Sequence, residues 1–260
     1  MRNILILSLA LVFAAVFMAC GTSPSGSAAS PTEAYKTFYA AVKSKNTDSI
    51  KAEMSQKTRS FAEAAAQRQG ITVEKMLENG LTGTTFAGTL PEARDERVSG
   101  DFGSVEVWNA KDRLWEDLPF LREATVAFEA SGDSKSKALE AVKGLQGLKV
   151  TEDSDSVNVE GNIPLSEAEN LQTKMAESGV TVDIKTLGWK FAMGELFTGS
   201  FKSPGKGRAM KEREAANAMS GNGGVVSINT NGNGNSNANV ISVPKEKLTN
   251  AASDRGNVNK

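Results

Sequence analysis

The chain has 260 residues, which is enough for one large domain or two small ones. Its 30 basic and 31 acidic residues leave a net charge of −1, and this balance argues against a nucleic-acid-binding protein. It contains no histidine and a single cysteine, Cys20, which excludes Ser-His and Cys-His catalysis, imidazole metal ligands and an internal disulfide.

The N-terminus has the pattern of an export signal. Arg2 precedes an apolar run of 16 residues, 4–19, which is shorter than the roughly 20 residues of a membrane-spanning helix and fits the core of a signal peptide. The four residues Phe17-Met18-Ala19-Cys20 resemble a bacterial lipobox. This resemblance implies that residues 1–19 are removed and that Cys20 carries a lipid anchor. The alternative is a free cysteine at the end of an ordinary signal or anchor helix.

A flexible tether and a helical region are predicted next. Residues 20–29 are mostly Gly, Ser, Thr, Pro and Ala, a composition typical of a flexible linker. Ser30, Pro31 and Glu33 then form a helix-start signal. Further helices are predicted at residues 47–54, 58–69 and 72–79. Strands follow at residues 91–99, 102–110 and 114–122, and much later at 188–197.

Three segments resemble small bacterial lipoproteins of the nuclear-transport-factor-2-like, cone-shaped α+β fold. They are SPTEAYKTFYAAVKSKNTDSIKAEMS (30–55), GDFGSVEVWNAKDRLWEDLPFLRE (100–123) and GWKFAMGELF (188–197). The resemblance covers residues 30–123 and 187–205. It implies that Glu123 and Gly188 flank a tight hairpin turn, but in this chain 64 residues lie between them.

The intervening residues predict a second unit of βαββαβ order, which is ferredoxin-like. Strands are predicted at 124–130, 148–152, 156–163 and 180–185, with helices at 135–145 and from Ser166 to the helix-ending Gly179. Ser166 and Glu169 read as a capping box. The first and last strands of such a unit are neighbours, so it can be inserted at a hairpin turn without separating the hairpin strands.

The inserted unit also resembles the heavy-metal-associated domain of copper chaperones and pumps. The matching segments are ATVAFEA, ALEAVKGLQGL and VNVEGNIPLSEAENLQTKMAESGVTV. The Cys-x-x-Cys of that family falls on Ser131 and Ser134, and a serine hydroxyl is a poor ligand for Cu(I). We therefore expect the fold to be kept and the metal site to be lost, with no cofactor. In place of a metal site, Ser131 can cap the following helix, or Asp133 can lie at its positive end.

A pocket lined by aromatic side chains is what the cone-shaped fold implies, and it would suit a small apolar ligand. The alternative is that these side chains only fill the core. The candidates are Tyr35, Phe38, Tyr39, Phe86, Trp108, Trp115, Phe120, Trp189 and Phe191.

Catalysis without histidine would require carboxylates as general acid and base. The candidates are Asp95, Glu106, Asp117 and Glu195, although alternating charges on strands also mark a solvated face. The sequence DSDS at 153–156 offers two carboxylates to a hard cation, but a hairpin turn explains it. The sequence SPGKGR at 203–208 lacks the spacing of a phosphate-binding P-loop.

The C-terminal tail, 206–260, predicts a short charged helix at 208–219 followed by disorder, because its Asn, Gly and Ser residues bury little apolar surface. A marginal hairpin of VVSI (225–228) and VISV (240–243) is the alternative. The functional prediction is an exported, lipid-anchored, non-enzymatic binding or interaction module of the bacterial envelope, facing the periplasm or exterior. Its expected partners are the lipid bilayer and an envelope protein or a small apolar ligand. The alternatives are a metal-trafficking protein and a small hydrolase or isomerase.

Overall fold

The computed structural model describes residues 27–78 and 81–219. Within these ranges the fold is α+β, with a six-stranded antiparallel sheet and several helices. The predicted signal peptide, Cys20, most of the tether and residues 220–260 of the tail lie outside the described residues.

The first helices cover one part of the sheet, and side-chain caps set where they begin. They are α1 (Pro31–Ser44), α2 (Thr47–Ala52), α3 (Gln56–Gln69) and α4 (Val73–Leu77), followed by a 3-10 turn (Gly83–Phe86). The hydroxyl of Ser30 accepts from the N–H of Glu33, as predicted. Helix α3 starts two residues earlier than predicted because Ser55, which accepts from the N–H of Thr58, is its N-cap.

One long strand organises the whole sheet. The strands are β1 (Ala93–Ser99), β2 (Phe102–Asn109), β3 (Leu114–Ser131), β4 (Leu148–Glu152), β5 (Ser156–Pro164) and β6 (Asp183–Phe191). Strand β3 runs without a break through both predicted strands, 114–122 and 124–130. Its first half pairs with β2 and its second half with β5. On its other side β6 pairs across the middle, where Glu123 lies opposite Gly188.

The second half of the sheet has the strand order β6-β3-β5-β4, with helices α5 (Asp133–Val142) and α6 (Leu165–Ala176) as crossovers. The predicted capping box at Ser166 and Glu169 is wrong. The N-cap of α6 is Pro164, which has no side-chain capping bond, and the N–H of Ser166 instead donates to Oδ2 of Asp101 at 2.8 Å. A tertiary contact thus replaces the local cap.

Two large hydrophobic cores lie within the described residues, one on each half of β3. The first packs α1 against β2, β3 and β6, with Phe38 stacked on Phe191 at 4.6 Å between ring centroids. The second packs α5 and α6 against the other end of β3, around Val126, Ile163 and Leu171. Because successive strand residues face opposite ways, Glu123 and Thr125 point away from the core that holds Ala124 and Val126.

The predicted strand 188–197 is wrong beyond Phe191. Residues Met193–Phe197 form a short helix, α7, whose Gly194 N–H donates to the hydroxyl of Thr58. The predicted helix at 208–219 is confirmed as α8 (Arg208–Met219). It packs against the sheet through Ala209, so this part of the predicted tail belongs to the folded body.

In the described ranges, none of the helices combines the length and the apolar character needed to cross a membrane.

Candidate functional site

The predicted aromatic pocket residues do not gather around one cavity. Tyr35, Phe38 and Tyr39 of α1 pack with Phe120, Phe191 and Trp189 in the first core, where each is at most 8 % exposed. Phe86 is 55 % exposed. These inner side chains fill space in the first core, as the alternative interpretation expects.

Trp108 and Trp115 lie on the opposite face of the sheet from α1. They are paired across β2 and β3, with ring centroids 5.4 Å apart, and Ala209 of α8 packs beside them. The guanidinium of Arg94 lies 3.9 Å from the centroid of the Trp115 ring, a cation–π geometry. The same guanidinium pairs with Glu106 at 2.9 Å.

The four predicted acid–base carboxylates are divided between two places, and each has its own partners. Glu106, 2 % exposed, accepts from Arg94 and from the N–H of Ala209, and burial raises the pKa of its carboxyl. Asp95 and Asp117 both pair with Arg97 in the same region. Glu195 lies elsewhere, in α7, where it is hydrogen-bonded to Ser55 and Thr58 at the start of α3, so the four carboxylates form no shared acid–base site.

The serine loop at the start of α5 has no metal-site geometry. Ser131 ends β3 and is exposed, while the hydroxyl of Ser134 donates to the carbonyl of Ser178 at 3.3 Å. The predicted cap at Ser131 is wrong, because the N-cap position is Gly132 and has no side-chain bond. Asp133 lies in the first turn, as the other interpretation expects. Among the described residues no group of three potential metal ligands occurs.

In the DSDS segment and in the segment 203–208, backbone carbonyl groups accept hydrogen bonds from basic side chains. Lys135 donates to the carbonyls of Asp153 and Ser154, which lie in the hairpin turn between β4 and β5. Arg97 donates to the carbonyl of Gly205. Neither segment presents a set of donors for a phosphate or a set of ligands for a cation.

A polar cavity of about 250 Å³ lies where β3 passes from one core to the other. We call it the seam cavity; its walls include Met54, Arg59, Glu123, Asn162, Lys185 and Lys190. Its lining combines the loop before α3 with strands β3, β5 and β6. Glu123 and Lys190 are buried, whereas Lys185 is exposed, so the cavity opens to solvent at the β6 side.

Glu123 is the central side chain of the seam cavity. It is 2 % exposed, its Oε1 accepts from the N–H of Gln56 at 3.1 Å, and its buried Oε2 has no hydrogen-bond partner among the described residues. Burial raises the pKa of Glu123 to about 7, against the lowering effect of the Gln56 bond. The nearby carboxylate of Glu195 raises this pKa further.

Gln56 connects Glu123 to the second core. While its backbone N–H donates to Glu123, its side-chain Oε1 accepts from the N–H of Asn162 at 3.1 Å. Asn162 also bonds to Thr125 at 2.9 Å, so one polar chain runs from α3 across β5 to β3. The first residue of α3 therefore joins the two halves of the structure beside the cavity.

Of the other charged groups around the cavity, Lys190 and Glu195 have partners, whereas Arg59 and Lys185 form no ion pair with a described residue. Lys190 lies 3.4 Å from Glu53, and both side chains are 9 % exposed. Glu195 accepts from the hydroxyl of Ser55 at 2.8 Å, and burial raises the pKa of its carboxyl. In the part of the chain that the structure describes, Arg59 and Lys185 line the cavity without forming an ion pair, so their charges are available to a ligand.

Sequence reasoning did not identify the seam cavity. The sequence marks Glu123 only as the end of a hairpin strand, and no functional motif marks Gln56, Asn162 or Lys190. The available signal was a carboxyl residue directly beside a buried strand segment, at the predicted junction of two units. That signal is weak because Arg122-Glu123 also reads as a solvated pair.

No protein-family model matches this chain. A stretch of 124 residues, 44 % of the chain, is 27 % identical to the whole of the large ribosomal subunit protein bL12 of Pelodictyon phaeoclathratiforme (strain DSM 5477 / BU-1). At this identity, and with more than half of the chain unmatched, we assign no family from the similarity.

Proposed function

We propose that the chain is a non-catalytic binding module of the bacterial cell envelope, tethered to a membrane by a lipid on Cys20, and that the seam cavity is its ligand site. One observation carries the binding role: a polar cavity, lined by residues from the helical region and from strands β3, β5 and β6, surrounds a buried carboxyl group with an unpartnered oxygen. A buried polar atom without a partner is costly, so its retention favours a function.

We also propose the architecture behind this role: a nuclear-transport-factor-2-like cone with a ferredoxin-like unit inserted at its hairpin. The strand order β6-β3-β5-β4 with two crossover helices supports the ferredoxin-like part. The pairing of Glu123 with Gly188 supports the insertion point, since the two ends of residues 124–186 lie side by side. The resemblance of the outer segments supports the cone.

A non-catalytic role is favoured over a hydrolase or isomerase by the placement of the charged groups. Asp95, Glu106 and Asp117 are engaged by arginine side chains in the region of α8, away from the seam cavity. The serine loop resembles that of metal-binding domains but contains no thiol or imidazole ligand. Metal trafficking is therefore the second-ranked alternative.

The proposed export and lipid anchoring are tested by expressing the full chain in a bacterium and measuring the mass of its N-terminal peptide. We expect a diacylglyceryl-modified Cys20 and recovery in the membrane fraction, with the Cys20→Ala variant unmodified and released from that fraction. An unmodified, freely soluble wild-type chain would remove lipid anchoring from the proposal. That result would leave the binding role of the seam cavity to be tested separately.

A further inference from the structure

We propose that the seam cavity binds a small oxyanion, such as a carboxylate or phosphate group, between the cationic side chains of Arg59, Lys185 and Lys190, with Glu123 protonated and acting as a donor. This inference rests on the binding role proposed for the cavity, but not on export or lipidation. It names the chemical class of the ligand.

The size of the cavity sets the first limit on the ligand. Its volume of about 250 Å³ is far above the roughly 10–15 Å³ that one water molecule requires. It is below the roughly 300–1,000 Å³ of pockets for drug-sized molecules. A small ion or a single acidic group fits, whereas a large apolar ligand does not.

The charge around the cavity selects an anion. Arg59, Lys185 and Lys190 line it, and among the described residues of the lining the only acidic side chain is Glu123. Behind the lining, Glu53 pairs with Lys190. Glu195 lies close to Glu123, but it is hydrogen-bonded to Ser55 and Thr58.

Lys57 is a further positive charge near Glu195, and it lowers the pKa of that carboxyl. With Glu123 neutral, the groups facing the cavity carry a positive excess. That excess favours an oxyanion over a cation.

Protonation of Glu123 allows an anion to bind beside its carboxyl group. An ionised Glu123 would repel the anion at short range, whereas a neutral carboxyl group can donate a hydrogen bond to it. Oε1 is already occupied as an acceptor by the N–H of Gln56, and Oε2 is the oxygen left for the proton. Anion binding and proton uptake are therefore linked, and the affinity falls as the pH rises through neutrality.

The experiment titrates the purified full chain with sodium acetate and with sodium sulfate by calorimetry at pH 6, 7 and 8 and constant ionic strength. These anions keep their charge over this range and separate a planar carboxylate from a tetrahedral oxyanion. We expect at least one of them to bind, with affinity falling roughly ten-fold per pH unit above pH 7 and a proton taken up on binding. Amide NMR signals of Gln56, Thr125 and Thr186 should shift during the titration.

Variants separate the parts of the proposal. Glu123→Gln keeps a neutral donor, so it should retain binding and lose both the pH dependence and the proton uptake. Lys185→Met and Arg59→Met should each weaken binding about ten-fold or more, whereas Lys149→Met, an exposed control on β4, should leave it unchanged.

Three results would overturn the proposal: no binding of either anion at millimolar concentration, binding that is unaffected by Arg59→Met and Lys185→Met, or binding that strengthens as pH rises. If an uncharged or cationic compound shifts the same amide signals while both anions fail, the oxyanion inference is wrong and the binding role of the cavity stands. If nothing shifts those signals, both fail.

Discussion

The backbone N–H of Gln56 donates to Oε1 of Glu123 at 3.1 Å, although the two residues are 67 positions apart in the chain. This contact joins the N-terminus of α3 to the middle of β3, the strand that both cores share. The N-terminus of a helix favours negative charge, so α3 partly offsets the cost of burying this carboxyl group. The pKa of about 7 shows that burial still dominates.

The stability of the protein should decrease as pH rises from about 4.5 to about 7. Burial raises the pKa of Glu123 from 4.5 to about 7 in the folded state, so the folded chain holds this proton more tightly than the unfolded chain. The stabilisation is complete below the unfolded pKa and is lost as pH rises through the folded pKa. Its size is on the order of 3 kcal/mol.

The Glu123→Gln variant isolates this effect. We expect it to unfold at higher urea concentration than the wild type at pH 8 and to lose the part of the pH dependence that Glu123 contributes, while Glu106 and Glu195, whose pKa values burial also raises, keep theirs. Glu129→Gln, at an exposed position six residues along the same strand, is the control. Equal pH profiles for wild type and Glu123→Gln would contradict the prediction.

Removing the side chain of Gln56 should weaken the connection between the two cores. Gln56→Ala deletes one of the two acceptors of the Asn162 N–H, leaving the carbonyl of Gly147, and keeps the backbone bond to Glu123. We expect a loss of about 1 kcal/mol in the free energy of unfolding, measured by urea denaturation. Gln67→Ala, on an exposed position of the same helix, should cost less than half as much.

Arg94 should hold α8 on the sheet. Arg94→Met removes the pairing with Glu106 and Glu212 and leaves the buried Glu106 without its guanidinium partner. We expect a loss of about 3 kcal/mol and faster tryptic cleavage at Lys211, read by mass spectrometry. The control is Arg213→Met, since Arg213 is exposed; similar cleavage rates in the two variants would count against this role.

The serine loop can be tested by restoring the thiols. In a Cys20→Ala background, we expect Ser131→Cys with Ser134→Cys to bind Cu(I) about a hundred-fold more tightly than the parent, because thiolates are soft ligands and hydroxyls are not. Competition with a chelator measures the affinity, and each single variant serves as a control. Tight Cu(I) binding by the parent itself would favour the metal-trafficking alternative.

Gly188 should not tolerate a side chain at the junction of the two cores. It has φ +76°, and an added Cβ would lie 2.7 Å from the backbone nitrogen of Ala28. Gly188→Ala should cost about 2–4 kcal/mol, since a clash adds to the left-handed strain of roughly 1–2 kcal/mol. Gly179→Ala has a similar φ of +69° and open space, so it measures the strain alone. Equal melting temperatures for the two variants would show that residues 27–28 move aside.

Local signals predicted much of the secondary structure. The cap at Ser30, strand β4 at residues 148–152 and helix α8 at 208–219 follow from capping residues, alternation and composition, which act within a few positions. The predicted continuation of a strand to residue 197 failed because the helix there depends on a bond from Gly194 to Thr58, which is 136 positions away. The N-terminus of α6 depends in the same way on Asp101.

The sequence by itself determined the absence of histidine, the single cysteine, the serines in place of a thiol pair and the alternation of elements, because these are properties of composition and short-range pattern. Only the tertiary structure decided that Glu123 is buried beside Arg59 and Lys190, and that Trp108 and Trp115 lie away from the α1 aromatics. Burial depends on which distant segments cover a strand. The burial that raises the pKa of Glu123 comes from α3 and β6, and neither is its neighbour in the chain.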